Sequence, residues 1–240
     1  MGVAYGSSTI YQATKGIVQD GLLLNFDTMA GENTNSSWQN LKGETNAIMS
    51  NFGGYTRTNT GLIIDLDGAD DKGEIADSSD DLLFSSSAFS VCAWVNVASV
   101  SQGSYTKIIG KASHSNTMAG AVWTLSVYGG GSGGSSPQLG FAGAQVDTGN
   151  FTYGTWIYCV GTVSGGSGGT TKVYQNASLK KTATTSFVAS QRTSRPLIFG
   201  AAYGWGGSNF SLSCLHIYNK ELTSAEINRN FNVTRHRFGI

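Results

Sequence analysis

Phe89-Ser-Val-Cys-Ala-Trp-Val-Asn-Val97 is the stretch on which the fold turns. Its odd positions, Phe89, Val91, Ala93, Val95 and Val97, are all apolar, whereas Ser90, Cys92, Trp94 and Asn96 fall between them. A period of two puts alternate side chains on opposite faces of a strand, so one face of this segment belongs to a core. The same rhythm recurs at 62–67, 107–111, 122–128, 138–142, 156–163, 172–176, 197–200 and 210–219, and Gly21-Leu-Leu-Leu-Asn-Phe26 opens the series. This many short strands exceeds what one open sheet usually holds, which predicts an all-β, two-sheet antiparallel sandwich. His216 lies on the Phe210, Leu212, Cys214 and Tyr218 face of the last strand and reads as a core or interface imidazole.

Glycine runs punctuate the strands. Gly129-Gly-Gly-Ser-Gly-Gly134 and Gly165-Gly-Ser-Gly-Gly169 lie between successive strands and read as hairpin tips. Neither precedes a helix or ends in Gly-Lys-Ser/Thr, so neither is a phosphate-binding loop. One helix is signalled, by the capping box Thr223-Ser-Ala-Glu226 with Ile227 and Phe231 four residues apart behind it. It is expected to clip onto a sheet edge or end. The first twenty residues, with Tyr5 and Tyr11 in polar sequence, read as an N-terminal arm ahead of one domain over 21–240.

Charged residues are only 12% of the 240, with fifteen basic and fifteen acidic side chains. A balanced, sparse charge distribution gives no field to steer the chain to nucleic acid or an anionic membrane. No stretch is apolar for long enough to span a bilayer, and Met1–Asp20 lacks a secretory pattern. Cys92, Cys159 and Cys214 sit in apolar strands and are odd in number, which predicts buried free thiols. With only His114, His216 and His236 as possible bases, a cysteine nucleophile is not supported.

Two groups of aspartates raise the question of metal. Asp65, Asp67, Asp70 and Asp71 form one, and Asp77, Asp80 and Asp81 another. Oxygen-rich loops bind calcium when their ligands converge, but Asp side chains in loops also cap turns. The second use is expected here, with no metal and no cofactor. Trp38, Trp123 and Trp156 are expected in the core, where aromatics at alternating strand positions usually lie. Trp205 differs, because Tyr203-Gly-Trp-Gly-Gly207 is too rich in glycine to bury much, which makes Trp205 and Tyr203 the candidate ligand-binding aromatics.

The order of segments resembles the laminin-G-like, pentraxin-related branch of the concanavalin A-like lectin/glucanase superfamily. Leu66-Asp-Gly-Ala-Asp-Asp71 is similar to that branch's Phe-Asp-Gly-x-Asp-Asp, Gly154-Thr-Trp-Ile-Tyr-Cys-Val160 to its tryptophan strand, and Lys172-Val-Tyr-Gln-Asn-Ala177 to its Leu-Tyr-Val-Asn-Gly strand and turn, with Ala177 in place of the glycine. Asn219-Lys-Glu-Leu-Thr-Ser-Ala-Glu-Ile227 resembles its Leu-Ser-x-x-Glu-Ile helix. The resemblance implies a jelly roll with one short C-terminal helix. Glycan-cleaving members carry Glu-x-Asp-x-x-Glu, because acid and nucleophile must flank one bond. Glu32, Glu44, Glu74, Glu221 and Glu226 are isolated from one another, so no enzyme is expected.

Asn230-Phe-Asn-Val-Thr-Arg-His-Arg-Phe-Gly239 resembles the endings of laminin-G-like proteins from tailed-bacteriophage virions. That likeness implies a non-enzymatic virion structural protein, a capsid decoration or a tail- or fibre-associated subunit, made in the host cytoplasm without a signal peptide. Its partners would be other virion proteins and further copies of itself, met through Tyr5, Tyr11, Arg235, Arg237 and Phe238. The alternative is a carbohydrate-binding module for host-surface glycan, with Trp205 and the loops near Asp70 as its site.

Overall fold

The computed structural model describes residues 16–84, 87–100, 105–111, 122–129, 138–141, 144–146, 152–165, 168–184, 195–200 and 209–240. In chain order the strands are β1 (Leu22–Asp27), β2 (Ser37–Trp38), β3 (Ala47–Ser50), β4 (Tyr55–Thr58), β5 (Gly61–Asp67), β6 (Lys72–Ile75), β7 (Phe89–Val97) and β8 (Tyr105–Lys111). They continue as β9 (Trp123–Tyr128), β10 (Gln138–Phe141), β11 (Ala144–Val146), β12 (Trp156–Val163), β13 (Thr170–Gln175), β14 (Ser178–Thr184), β15 (Leu197–Gly200) and β16 (Asn209–Tyr218). Helix α1 (Ser224–Thr234) and a 3-10 turn over Arg235–Phe238 follow.

Two antiparallel sheets result, as the alternation requires. The first runs β14-β13-β12-β7-β16-β5-β4, with β1 also paired to β16, and the second runs β11-β10-β9-β8-β15-β6-β3-β2. Both glycine runs connect paired neighbours, β9 to β10 and β12 to β13, so both are hairpin connections. Between the sheets lies the main core, which takes Phe89, Val91, Ala93, Val95 and Val97 from β7, together with Trp38 and Trp123.

The other face of β7 is covered as well. Cys92 and Trp94 belong to a second core with Tyr158, Tyr174, Tyr218, Ile227, Phe231 and Phe238, so α1 lies across the outer face of the first sheet rather than at its edge or end. The capping box forms as the sequence predicts, Glu226 N donating to Thr223 Oγ1 and Thr223 N to Glu226 Oε2. Ile17 and Val18, within the stretch read as an arm, are buried in this second core. Val18 N donates to Asn230 Oδ1 at 2.8 Å, Asn230 Nδ2 to the Tyr218 hydroxyl at 2.9 Å, and that hydroxyl to Val18 O at 3.2 Å. Val18, Asn230 and the Tyr218 hydroxyl thus satisfy one another inside the core, as buried polar groups must to be stable there. Tyr5 and Tyr11 lie outside the described residues.

Strand β16 is irregular where the sequence suggested a single face. Its register with β7 shifts between Leu212 and Cys214. A bulge of one residue reverses the alternation. Phe210, Leu212, Leu215 and Ile217 therefore enter the main core, and Cys214 and Tyr218 the second. At the same point β16 changes neighbour, pairing with β5 up to Leu212 and with β1 from Cys214. His216 is buried, with Nδ1 lacking a hydrogen-bond partner. The three cysteines are free and buried, and burial pushes the thiols of Cys92 and Cys214 up to about 12.

Candidate functional site

The turn from β5 to β6 carries the chain from the first sheet to the second, and it holds Asp67, Gly68, Ala69, Asp70 and Asp71. Its shape follows from its aspartates. Asp67 N donates to Asp71 Oδ2 at 2.9 Å and Ala69 N to Asp67 Oδ1 at 2.7 Å, so two side chains cap the turn from within. Capping is the role expected of these residues. The same geometry brings one carboxylate oxygen of each of Asp67, Asp70 and Asp71 within 4.8 Å of the others. Asp67 and Asp70 are exposed and Asp71 is buried. Burial pushes the Asp71 carboxyl above the usual carboxylate range, against the lowering pull of the Asp67 amide and with the charges of Asp67 and Asp70 adding to the rise.

Three convergent oxygens of this kind suit a hard divalent cation such as calcium, or accept hydrogen bonds from hydroxyl groups. The neighbourhood is polar. Asn51 Nδ2 donates to Asp70 O at 3.5 Å, and Ser211 Oγ to Asp65 Oδ1 at 2.8 Å. Asp77 and Asp80 do not join this cluster, because both face Lys111.

Segment 201–208, which carries Tyr203 and Trp205, lies outside the described residues. Its two flanking residues are described, and both abut the acidic turn. Gly200 sits opposite Lys72 in the ladder, and a β-carbon built on it would stand 2.4 Å from Asp71 O. Asn209 sits opposite Asp67, and Gly68, at φ +83°, packs against the Asn209 backbone. Gly200 and Asn209, the residues that flank this segment, thus share one rim of the sandwich with the acidic turn.

The tail residues read as partner contacts separate into two kinds. Arg235 is exposed. Arg237 and Phe238 face inward: Arg237 Nη1 pairs with Asp27 Oδ2 at 2.8 Å and Phe238 is buried. Trp38, Trp94 and Trp123 are fully buried and Trp156 is half-buried.

Comparison with known proteins bears on the fold. Residues 67–228 match the family model Laminin_G_3, described as concanavalin A-like lectin/glucanases superfamily. No curated protein matches the chain. Among solved structures, Trypanosoma rangeli sialidase in complex with the inhibitor DANA is similar at a TM-score of 0.65 and 16% identity, over 90% of this chain and 33% of that one. The binding domain of botulinum neurotoxin DC in complex with rat synaptotagmin II is similar at a TM-score of 0.60 and 16% identity, over 89% of this chain and 52% of that one. A botulinum neurotoxin type C structure, from work on cell entry through two ganglioside molecules, follows at 0.59 and 18%, over 89% and 51%. The chain therefore spans about a third to a half of these proteins, and at such identities the likeness is one of fold.

Proposed function

The chain belongs to the concanavalin A-like lectin/glucanases superfamily, in its laminin G family, and from that premise we propose that it is a non-catalytic carbohydrate-binding module. The observation that carries the proposal is the position of Gly200 and Asn209, the two residues flanking segment 201–208, against the acidic turn. Sugars are held by aromatic faces that stack on their apolar side and by polar groups that take their hydroxyls. Trp205 and Tyr203 supply the first, and Asp67 and Asp70 the second. A calcium ion held by Asp67, Asp70 and Asp71 would supply further coordination to sugar hydroxyls. Botulinum neurotoxin structures of this fold, one of them described with gangliosides, support the class of ligand. The sequence has no Glu-x-Asp-x-x-Glu strand, which supports binding without cleavage.

A glycan array with purified protein, repeated with EDTA, tests the reading. Reproducible binding to a glycan class is expected, lost in Trp205→Ala and in Asp70→Asn while the melting transition stays in place. An array without reproducible binding, or binding intact in both variants, defeats it.

A second reading, a subunit of a tailed-phage virion docked on other virion proteins and on further copies of itself, rests on the likeness of Asn230–Gly239 to phage protein endings. It is compatible with the first, since a virion surface protein can also bind host glycan. Mass spectrometry of purified particles detects the chain if this reading holds.

A further inference from the structure

At the end of β8, Lys111 is fully buried, an unusual place for a lysine. Its cross-strand neighbours are Trp123 and Leu197, both buried, so the aliphatic stem runs between apolar walls. Its Nζ is in direct contact with Asp77 Oδ2 and lies 3.3 Å from Asp80 Oδ1, and it donates to Arg195 O at 2.6 Å. The side chains of Lys111 and Asp77 are 0% and 2% exposed, so water is excluded from the pair. Asp80 is held at φ +59°, a left-handed conformation that a non-glycine residue adopts at a cost. That conformation accompanies the second carboxylate's approach to the amine. Leu82 N donates to both Asp77 carboxyl oxygens, at 3.4 and 3.2 Å.

A nucleophilic amine and a carboxyl carbon shielded from water, with a second, partly buried carboxylate and a backbone donor on the carboxyl oxygens, are the components of amide formation. We propose that Lys111 and Asp77 condense in the folded protein to an isopeptide bond, with Asp80 carrying the proton. A proton passes from the Lys111 ammonium to the Asp77 carboxylate, leaving a neutral amine and a neutral acid. The Nζ lone pair attacks Asp77 Cγ and forms the new N–C bond, and the oxygen that becomes negative lies beside the Leu82 amide. Asp80 takes a proton from Nζ and returns it to the departing hydroxyl. The C–O bond breaks and one water leaves, with no change of oxidation state.

Two effects favour the product. Holding the groups in contact replaces an encounter in solution by an effective concentration of about 10⁵–10⁸ M. Condensation also removes two charges from a site where charge is poorly solvated. The product amide keeps its partners, since its N–H can donate to Arg195 O and its carbonyl can accept from Leu82 N. The bond would tie the segment after β6 to the end of β8 across β15, which lies between them.

Intact mass spectrometry of the denatured full chain is the test. The expected mass is lower than that of the sequence by one water, and tryptic digestion should yield a branched peptide joining the Asp77 and Lys111 segments, with no cleavage after Lys111. Asp80→Asn should keep a cooperative melt yet show the full mass and cleavage at Lys111. Wild-type protein at full mass with a cleavable Lys111 overturns the proposal, whatever the variant does. Complete cross-linking in Asp80→Asn overturns the role given to Asp80.

Discussion

The ring of Phe238 stacks on the indole of Trp94 with centroids 4.1 Å apart and planes 22° from parallel. Trp94 Nε1 in turn donates to Thr234 Oγ1 at 2.7 Å, and Phe231 stacks on the indole at 5.7 Å. The outward face of β7 is thus roofed by helix and tail. Truncating a buried ring against these partners removes its burial and leaves a cavity, so Phe238→Ala should cost about 3–5 kcal/mol in urea denaturation. Arg235→Ala, at an exposed neighbouring position, should change stability by less than about 0.5 kcal/mol. Equal effects in the two variants would mean the roof is not the stabilising element.

Arg237 and Asp27 form a second tie, with side chains 9% and 3% exposed. Arg237 Nη2 also donates to Ser213 Oγ at 2.9 Å, at the residue where β16 bulges. Breaking a buried pair from one side leaves the other charge without compensation, so Arg237→Ala and Asp27→Asn are each expected to lose about 3–5 kcal/mol. A double variant should lose clearly less than the sum of the two. Additive losses would show that the two groups do not act on each other.

His216 should make stability fall in mild acid. Burial pushes its imidazole from 6.5 down to about 4, with Asp27 opposing and Arg237 adding to the fall. Between those values the unfolded chain binds a proton that the folded chain does not, so stability present at neutral pH is lost as pH drops through 6.5 toward 4. The expected loss attributable to His216 between pH 7 and pH 4.5 is about 2 kcal/mol. Urea titrations at both pH values compare wild type with His216→Gln. An equal loss in both proteins would exclude His216 as the source.

How much of this was legible in the sequence depends on which force shaped each element. Strands β7, β12 and β15 were readable residue by residue because their inward faces are apolar at alternate positions. Strand β14 was not, since Ser178–Thr184 is exposed almost throughout and owes its place to pairing with β13. The bulge at Ser213 has no composition signal, and without it Cys214 and His216 are assigned to the wrong core. The tail was recognisable as a pattern, but its pairing of Arg237 with Asp27 joins residues far apart in the chain. In the acidic turn the aspartates were visible as a group, whereas their convergence depends on Asp71 returning to the Asp67 amide. Lys111 carried no sequence signal, because only the packing of β8 against β15 shows that it is buried.

Ala177 holds a left-handed backbone conformation that costs a non-glycine residue. Asn176 and Ala177 connect β13 to β14 with φ of 49° and 62°. Two successive positive φ values are the signature of a tight hairpin that favours Asn-Gly. Asn176 fits, and its Oδ1 also accepts from Tyr158 N at 2.9 Å. Alanine at the second position has a β-carbon that crowds the backbone in this conformation. Ala177→Gly should therefore stabilise the protein by about 0.5–1 kcal/mol, a gain read directly in thermal or urea unfolding. A neutral or destabilising outcome would show that the methyl group packs well enough to offset the backbone cost.

Gly200 gives the sharpest separation of binding from stability. It closes β15 at φ +87°, and an added β-carbon would meet the Asp71 carbonyl oxygen at 2.4 Å and the Lys72 α-carbon at 3.1 Å. Both are backbone atoms, so neither can swing aside. Relief requires the acidic turn or the start of segment 201–208 to shift, which moves Asp67, Asp70 and Asp71 relative to the segment bearing Trp205. Gly154 is the control, because its φ is +73° but nothing lies within 4 Å of its missing β-carbon. Each Ala variant bears the left-handed backbone cost of about 1–2 kcal/mol. Only Gly200→Ala should also weaken binding, by at least tenfold for the strongest glycan found on the array, as measured by calorimetry. If Gly154→Ala weakened binding equally, the effect would be general loosening and not displacement of the rim. If Gly200→Ala bound as wild type, the glycan site would lie elsewhere on the sandwich.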